Sequence, residues 1–318
     1  MATEVSSKGG VPGEAGGTGV AALGLASTEG QSLTQLALRR LRHDYLTMFS
    51  AIVILILVVL SLLAPVITDY LDISEKNTDA EVKFKPIGAE GHPLGTDHLG
   101  RDHLARLLYA GRISLQVGVI AGVGAILVGV SIGLLAGYNR GGSLSIIDDV
   151  IMWFVTTLNS IPALMLLILI ASVWTTLTAL IGALVLISWT TTMRLVRGET
   201  IAHREREYVI SAKAIGAGPG RIMFTHILPN VFSVLIISLM LQIGTLILVE
   251  SALSFLGLGV RPPTPSWGNM LTNAQTSFRQ AAHLSIVPGM LIVTTVLCLY
   301  LIGDGLRDAF DPHAVRKK

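Results

Sequence analysis

MFSAIVILILVVLSLLAPVI, residues 48–67, runs for twenty residues without a charge. At a rise of about 1.5 Å per residue, a helix of that length crosses the roughly 30 Å hydrocarbon core of a bilayer. Lipid offers no partner for a backbone amide, so a run of this kind is stable there only as a helix that satisfies its own hydrogen bonds. The rest of the chain has the same character. Of 318 residues, 51% are hydrophobic and 14% charged, against about 25% charge in an ordinary soluble domain. Working outward, further apolar runs lie at 113–137, 146–171, 177–193, 231–256 and 284–303. The run at 146–171 is interrupted near its middle by Asn159 and Pro162. The fold class expected is therefore an all-α integral membrane protein with about six transmembrane helices.

The segments between the runs set the organisation. Residues 1–30 contain eight glycines and no apolar periodicity, which predicts a disordered tail; no short basic start leads into an apolar region, as a signal peptide would require. Within 31–68, Leu33, Leu36 and Leu41 alternate with Arg39, Arg40 and Arg42, as in a short helix on the membrane surface preceding the first span. A polar external loop is expected at 69–112, a core of five spans over 113–303, and a C-terminal tail at 304–318. With the N-terminus inside, 15 of the 23 Lys and Arg residues fall on the inner side and 8 on the outer. That excess predicts both termini inside, with the polar segment 194–230 cytoplasmic. A net charge of +2 gives no footprint for nucleic acid, and the single cysteine, Cys298, lies in an apolar run where it reads as a small packing residue.

The segment RLVRGETIAHREREYVISAKAIGAGPGRIMFTHILPN, 194–230, reads as two helices around a break. Gly216, Gly218, Pro219 and Gly220 stop a helix and permit a sharp turn. Before the break, Tyr208, Ala212 and Ile215 are spaced to share one face, and Ser211, Ala212 and Ala214 are small enough for another surface to approach. The residues alone leave two readings: a docking surface, or a helical hairpin covering its own bundle.

The same segment resembles the EAA coupling loop of ABC importer permeases. That pattern is a Glu-Ala-Ala triplet, a glycine four residues on, and an ending in Ile/Leu-Pro. Here the triplet positions read Ile210-Ser211-Ala212, the glycine is Gly216, and the ending is His226-Ile227-Leu228-Pro229-Asn230. The glutamate is thus replaced by Ile210 and the middle alanine by Ser211. Three further stretches are similar to the C-type permease of the dipeptide, oligopeptide and nickel branch: HPLGTDHLGRDHLARLLYAGRISLQVG (92–118), ESALSFLGLGVRPPTPSWGNML (250–271) and PGMLIVTTVLCLYLIGDGLRDAFDP (288–312). In the third span the family commonly carries Met-Arg with an Asp three residues later. This chain has Met152-Trp153 and Thr156, with Asp148 and Asp149 just before.

The resemblance implies a non-catalytic permease subunit in a bacterial-type inner membrane, working by alternating access. Its partners would be a homologous second permease, two ABC ATPases that bind ATP and Mg, and an external substrate-binding protein. It implies peptides as substrate, with nickel chelates or oligosaccharides as alternatives within the family. It places ATPase coupling on Glu207, Tyr208, Ser211, Ala212, Gly216, Arg221, His226, Pro229 and Asn230. A stand-alone secondary transporter or channel is the rival from another class; it would carry more intramembrane charge for ion coupling and needs no coupling loop.

Other candidates follow from residue chemistry. In 95–102, Asp97 and Asp102 are placed to cap short helices and Arg101 to pair with either. Thr96, Asp97, Arg101 and Asp102 then form a charge-stapled turn or a contact for the external binding protein. His92, His98 and His103 lie beside them and would need to converge to hold a metal. Gly118, Gly122, Gly129, Gly133 and Gly137 make a small-residue stripe for close helix packing. Glu250 is the one carboxylate well inside an apolar run; it and Gln242, Asn159 and Ser160 are candidates to line a polar path, although Asn159, Ser160 and Pro162 also suit a simple kink. The chain has no G-x-x-x-x-G-K-[ST] or H-E-x-x-H motif, so no phosphate loop or zinc helix marks a catalytic centre or a cofactor site.

Overall fold

A computed structural model describes residues 33–142, 144–274 and 277–310. The expected tail at 1–30 and the residues beyond 310 lie outside the described residues. The first helices are α1 (Leu33–His43), α2 (Tyr45–Leu62), α3 (Ala64–Tyr70) and α4 (His103–Asn139). Asp44 separates α1 from α2 and caps α2 by accepting from the Leu46 amide at 3.2 Å. After α4 come α5 (Ser145–Asn159), α6 (Ala163–Val173) and α7 (Leu177–Arg204). Then follow α8 (Glu207–Ala214), a single turn α9 (Pro219–Arg221), a π-helical stretch at Ile222–Ile227, and α10 (Leu228–Phe255). The last are α11 (Trp267–Ala274) and α12 (His283–Phe310).

Among the described residues five helices are long and apolar enough to cross a membrane, or six with the bent pair α5–α6 counted as one span. Its axis turns by 79° at residues 160–162. Pro162 has no N–H to continue the ladder of α5 and instead opens α6. Several helices outrun the apolar runs that announced them. α4 begins inside the expected external loop, α7 continues eleven residues past 193, and α12 continues through 304–310, where a tail was expected. Hydrocarbon thickness sets the minimum apolar length, but caps decide where a helix stops.

α4, about 55 Å long for its 37 residues, is the central element. Its glycine stripe meets two partners in turn. Cβ atoms built on Gly118 and Gly122 would lie 2.6 and 2.8 Å from Ile247 and Ile243 of α10. Those on Gly129, Gly133 and Gly137 would lie 2.6 to 2.7 Å from Thr192, from the carbonyl of Met193, and from Thr200 of α7. The absence of side chains lets α7 approach the backbone of α4 directly. Cys298 is buried within the packing of α12. By contrast α2 exposes Leu55, Ile56 and Leu62, the outward face of a lipid-bathed helix.

Candidate functional site

Three sets of functional candidates lie along the bundle. The first is at the end where α4 stops. α8 is short, and Val209 and Ala212 are its buried residues. Val209 packs with Leu134, Val196, Ile222 and Ile227 in one apolar cluster. α8 is also held from its sides. The Tyr208 hydroxyl lies 2.8 Å from His203 Nδ1, and Lys213 Nζ sits 5.5 Å from the centre of the Tyr138 ring. Burial raises the Tyr208 hydroxyl above its ordinary pKa, with Arg206 opposing.

Gly216 ends this helix. The Gly216 amide donates to Lys213 O and the Ala217 amide to Ala212 O, both at 3.0 Å, and Gly216 has φ +86°. This is a Schellman closure, which needs a left-handed residue at the position glycine occupies. The closure corrects the expected shared face of Tyr208, Ala212 and Ile215. The helix ends before Ile215, so its phase does not carry that far; Ala212 faces inward while Ile215 is 87% exposed. Glu207, Tyr208, Ser211, Gly216, Arg221, Pro229 and Asn230 are at the surface, and His226 is half-buried with its carbonyl accepting from Asn230 Nδ2 at 2.6 Å. Three exposed apolar side chains, Ile210, Ile215 and Phe224, join them. The sequence places Ile210 at the lost glutamate and Ile215 on a shared face with Tyr208 and Ala212, and does not single out Phe224. The available signal was an apolar residue in a segment too polar to lie in lipid.

The second set lies mid-bundle. Asn159 at the end of α5 and Gln242 on α10 both line a cavity of about 400 Å³ with Ser188, Thr191, Ser238 and Thr245. Asn159 Oδ1 accepts from Thr190 Oγ1 at 3.3 Å, and Gln242 bridges α7 by accepting from Thr192 Oγ1 at 3.0 Å and donating to Ser188 O at 3.1 Å. The lining offers amides, hydroxyls and apolar groups, with no charge among the described residues. Ser160 donates to Thr156 O of its own helix and is not among the lining residues. Nor is Glu250. It is fully enclosed, accepting from Ser254 at 2.6 Å, Ser114 at 3.1 Å and Ser251 at 3.4 Å. Ser254 and Ser114 in turn accept from the amides of Val260 and Trp267. The carboxyl expected on a path instead ties α4 and α10 to the loop leading into α11, which is how a polar group is retained in an apolar setting.

The third set is at the opposite end, before α4. Asp97 accepts from the amides of Leu99 and Arg101 at 2.8 and 3.0 Å and from Arg101 Nε at 2.8 Å, with Arg106 Nε 3.5 Å away. Burial works against the ionised carboxyl, but the Arg101 hydrogen bonds and charge outweigh it and hold the pKa of Asp97 below its ordinary value. Asp102 caps α4 as expected, accepting from the Ala105 amide at 2.8 Å, and lies 2.9 Å from His92 Nδ1. Asp97 organises a turn rather than a helix start. Thr96 accepts from the Lys85 amide at 2.9 Å and donates to Val82 O. Thr96, Asp97, Arg101 and Asp102 are all buried, which corrects the idea that these side chains present themselves to another protein. His92, His98 and His103 do not converge: His92 turns to Asp102 and His103 stands edge-on to His283, with ring centres 5.8 Å apart. Among the described residues no three His, Cys, Asp or Glu side chains are grouped to hold a metal.

This architecture has counterparts among known proteins. Residues 129–316 match the model of the binding-protein-dependent transport system inner membrane component, and residues 32–86 that of the N-terminal TM domain of oligopeptide transport permease C. The chain is 36% identical to the dipeptide transport system permease protein DppC of Alkalihalophilus pseudofirmus, over 87% of this chain and 88% of the relative. It is 37% identical to the oligopeptide transport system permease protein OppC of Escherichia coli, over 89% and 92%. It is 34% identical to the glutathione transport system permease protein GsiD of Pectobacterium atrosepticum, over 86% and 89%. Its fold is also similar to a chain of the inward-facing MetNI methionine ABC transporter, with a TM-score of 0.53 at 20% identity, covering 64% of this chain and 95% of that one. The chain belongs to the family of inner membrane components of binding-protein-dependent transport systems.

Proposed function

We propose that this chain is the permease subunit of an ATP-driven importer for short peptides, glutathione-like peptides included, and that α8 and its flanks couple it to an ATPase. The carrying observation is the surface around α8. Ile210 on α8 and Ile215 just past its end are exposed apolar groups on a segment anchored from behind by the buried Val209 and Ala212, outside the candidate spans. A rigid apolar knob outside lipid suits a groove on a partner. Glu207, Ser211 and Arg221 would surround it as a polar rim. The excess of Lys and Arg on this side orients both termini, and α8, toward the cytoplasm.

A homologous second permease, two ATPases carrying ATP and Mg, and an external binding protein complete the assembly in this reading. Closure of the ATPases moves α8, and the bundle reopens toward the other side. The peptide reading rests on the named relatives and on the uncharged cavity at Asn159 and Gln242. Its volume falls in the usual range for small-molecule sites, and its hydroxyls and amides pair with peptide N–H and C=O groups without selecting side-chain charge. The buried Asp97 turn acts as scaffold for the outer loop, whose exposed surface meets the binding protein.

The test is co-purification and transport. The full chain should co-purify with an ATPase, and an insertion within 216–220 should abolish ATP-driven uptake while the spans still fold. Uptake by this chain alone in vesicles, driven by an ion gradient, overturns the proposal. A cognate binding protein that retains a sugar or a nickel chelate overturns the peptide part alone.

A further inference from the structure

At the end of the bundle away from α8, α2 packs against α4. They meet closely at Gly111, where a built Cβ would lie 2.5 Å from Ser61 Oγ. Beside this contact the two helices form an open groove of about 380 Å³, within the range of small-ligand sites. Its walls are apolar, given by Val58, Leu62, Val119 and Ile120, of which Leu62, Val119 and Ile120 are exposed. Arg112 and Gln116 line the same groove. Along α4 the lining runs from Arg112 through Gln116 to Ile120, about 12 Å of helix. The apolar run of α4 starts at Ile113, so Arg112 stands where hydrocarbon gives way to lipid head groups.

The charge at that level is unmet. The exposed Arg112 guanidinium has no ion pair and no hydrogen bond among the described residues, and the Gln116 amide makes no side-chain hydrogen bond there. No acid lines the groove. Glu75 lines a neighbouring cavity that shares Arg112, but its ion pair is to Lys76 at 3.5 Å and its charge acts on Arg106. Water would meet the charge of Arg112 and leave the apolar walls bare; a neutral chain would cover the walls and leave the charge. A phospholipid of net negative charge does both, and a planar guanidinium can take two phosphate oxygens at once. We infer that the α2–α4 groove binds one anionic phospholipid of the leaflet opposite α8, its phosphate on Arg112 and Gln116 and an acyl chain along Leu62, Val119 and Ile120. The site lies outside the mid-bundle cavity and the α8 surface, and it does not depend on what the chain transports.

The experiment is native mass spectrometry of the purified full-length chain, with the subunits that accompany it, offered phosphatidylglycerol or phosphatidylcholine with the same acyl chains. The expected result is at least a several-fold preference for phosphatidylglycerol at one site, with a saturable rise in Tm on adding that lipid. Arg112 is exposed and unpaired, so Arg112→Gln should fold normally and abolish the preference. Arg261→Gln, an exposed arginine beyond α10 and outside the groove, should leave it intact. Val119→Trp, which fills the groove and keeps the arginine, should lower retention of phosphatidylglycerol several-fold. Equal retention of the two lipids by the native protein overturns the proposal, since apolar filling then suffices. An equal loss in Arg261→Gln also overturns it, because the attraction is then general to the surface. So does a preference that survives Arg112→Gln; if that variant also sheds an accompanying permease subunit, the groove belongs to that chain and not to lipid.

Discussion

Arg197 on α7 grips Asp148 on α5 through two parallel hydrogen bonds, Nε to Oδ1 at 2.5 Å and Nη2 to Oδ2 at 2.6 Å. Asp148 and Asp149 lie just before Met152, Trp153 and Thr156, the positions at which this chain departs from the charged pair of the permeases it resembles. Asp148 is the buried one of the two acids, and its partner comes from the next helix. Bidentate pairing fixes orientation as well as distance. It ties the short helix before the 79° bend to the helix leading to α8. Asp148 is buried while Arg197 is only half-buried, so removing Asp148's charge loses the pair but leaves a guanidinium that water can reach in part. Asp148→Asn is therefore expected to lower the Tm of the purified protein clearly. The double variant Asp148→Asn with Arg197→Gln should recover part of the loss, and a double-mutant cycle reads the coupling. Additive single effects would mean that the two side chains do not act as a pair.

Gly133 presents its bare Cα to the carbonyl of Met193, so a Cβ there would lie 2.7 Å from that oxygen and 2.8 Å from Val196. Neither neighbour is the flexible end of a long side chain. Gly133→Ala is expected to force α4 and α7 apart and to destabilise by about 1–3 kcal/mol. Gly182 on α7, with nothing within 4 Å of a built Cβ, is the control, and Gly182→Ala should leave Tm unchanged or slightly raised. Equal behaviour of the two variants would show that the α4–α7 approach is not limited by the stripe.

How much of this was legible beforehand depended on which force set each feature. The spans were readable because hydrocarbon imposes a length and forbids charge, and the break at Asn159 and Pro162 because a proline cannot continue the ladder. Helix ends were only partly readable. α4 starts at His103 because Asp102 caps it, whereas Asp97, the same residue type five positions earlier, closes a turn around Arg101. Burial of charge was the other blind spot. Glu250 reads as a group on a path because an isolated carboxylate is costly in lipid; it accepts from the hydroxyls of Ser114, Ser251 and Ser254, and Ser114 and Ser254 accept in turn from the Trp267 and Val260 amides, an arrangement of the tertiary fold that no local spacing records.

Gly216 carries φ +86°, yet nothing lies within 4 Å of a Cβ built on it. The demand for glycine is therefore conformational and not steric. A residue with a Cβ pays about 1–2 kcal/mol to adopt the left-handed state, and asparagine pays less. The expected order of ATP-driven uptake is Gly216 above Gly216→Asn above Gly216→Val. Ile215 and Ala217 flank this residue, so a shifted turn re-aims the exposed side chain of Ile215. Thermal stability of the spans should change little across the series. A large fall in Tm with uptake still in proportion to folded protein would make Gly216 a stability residue only.

Asp97 links the outer turn to acid. Its carboxyl is held below its ordinary value of 3.8 in the folded protein, burial being outweighed by Arg101. A group whose folded pKa is depressed contributes stability that is fully present above the unfolded value and is lost as pH falls through the folded value. The difference in Tm between the native protein and Asp97→Asn should then be constant from neutral pH down to about 4 and close below that. The comparison is best made in a His98→Gln background. The His98 imidazole is held below its ordinary 6.5, chiefly by burial and also by Arg101, Arg106 and Lys83, with Asp97 opposing, so it titrates in the same series. With that imidazole removed, a gap that begins to close near pH 6 would place the acid-sensitive group elsewhere. A gap that persists undiminished well below pH 3 would mean that Asp97 stabilises the turn through its amide hydrogen bonds in either protonation state, and that the pairing with Arg101 and Arg106 is incidental.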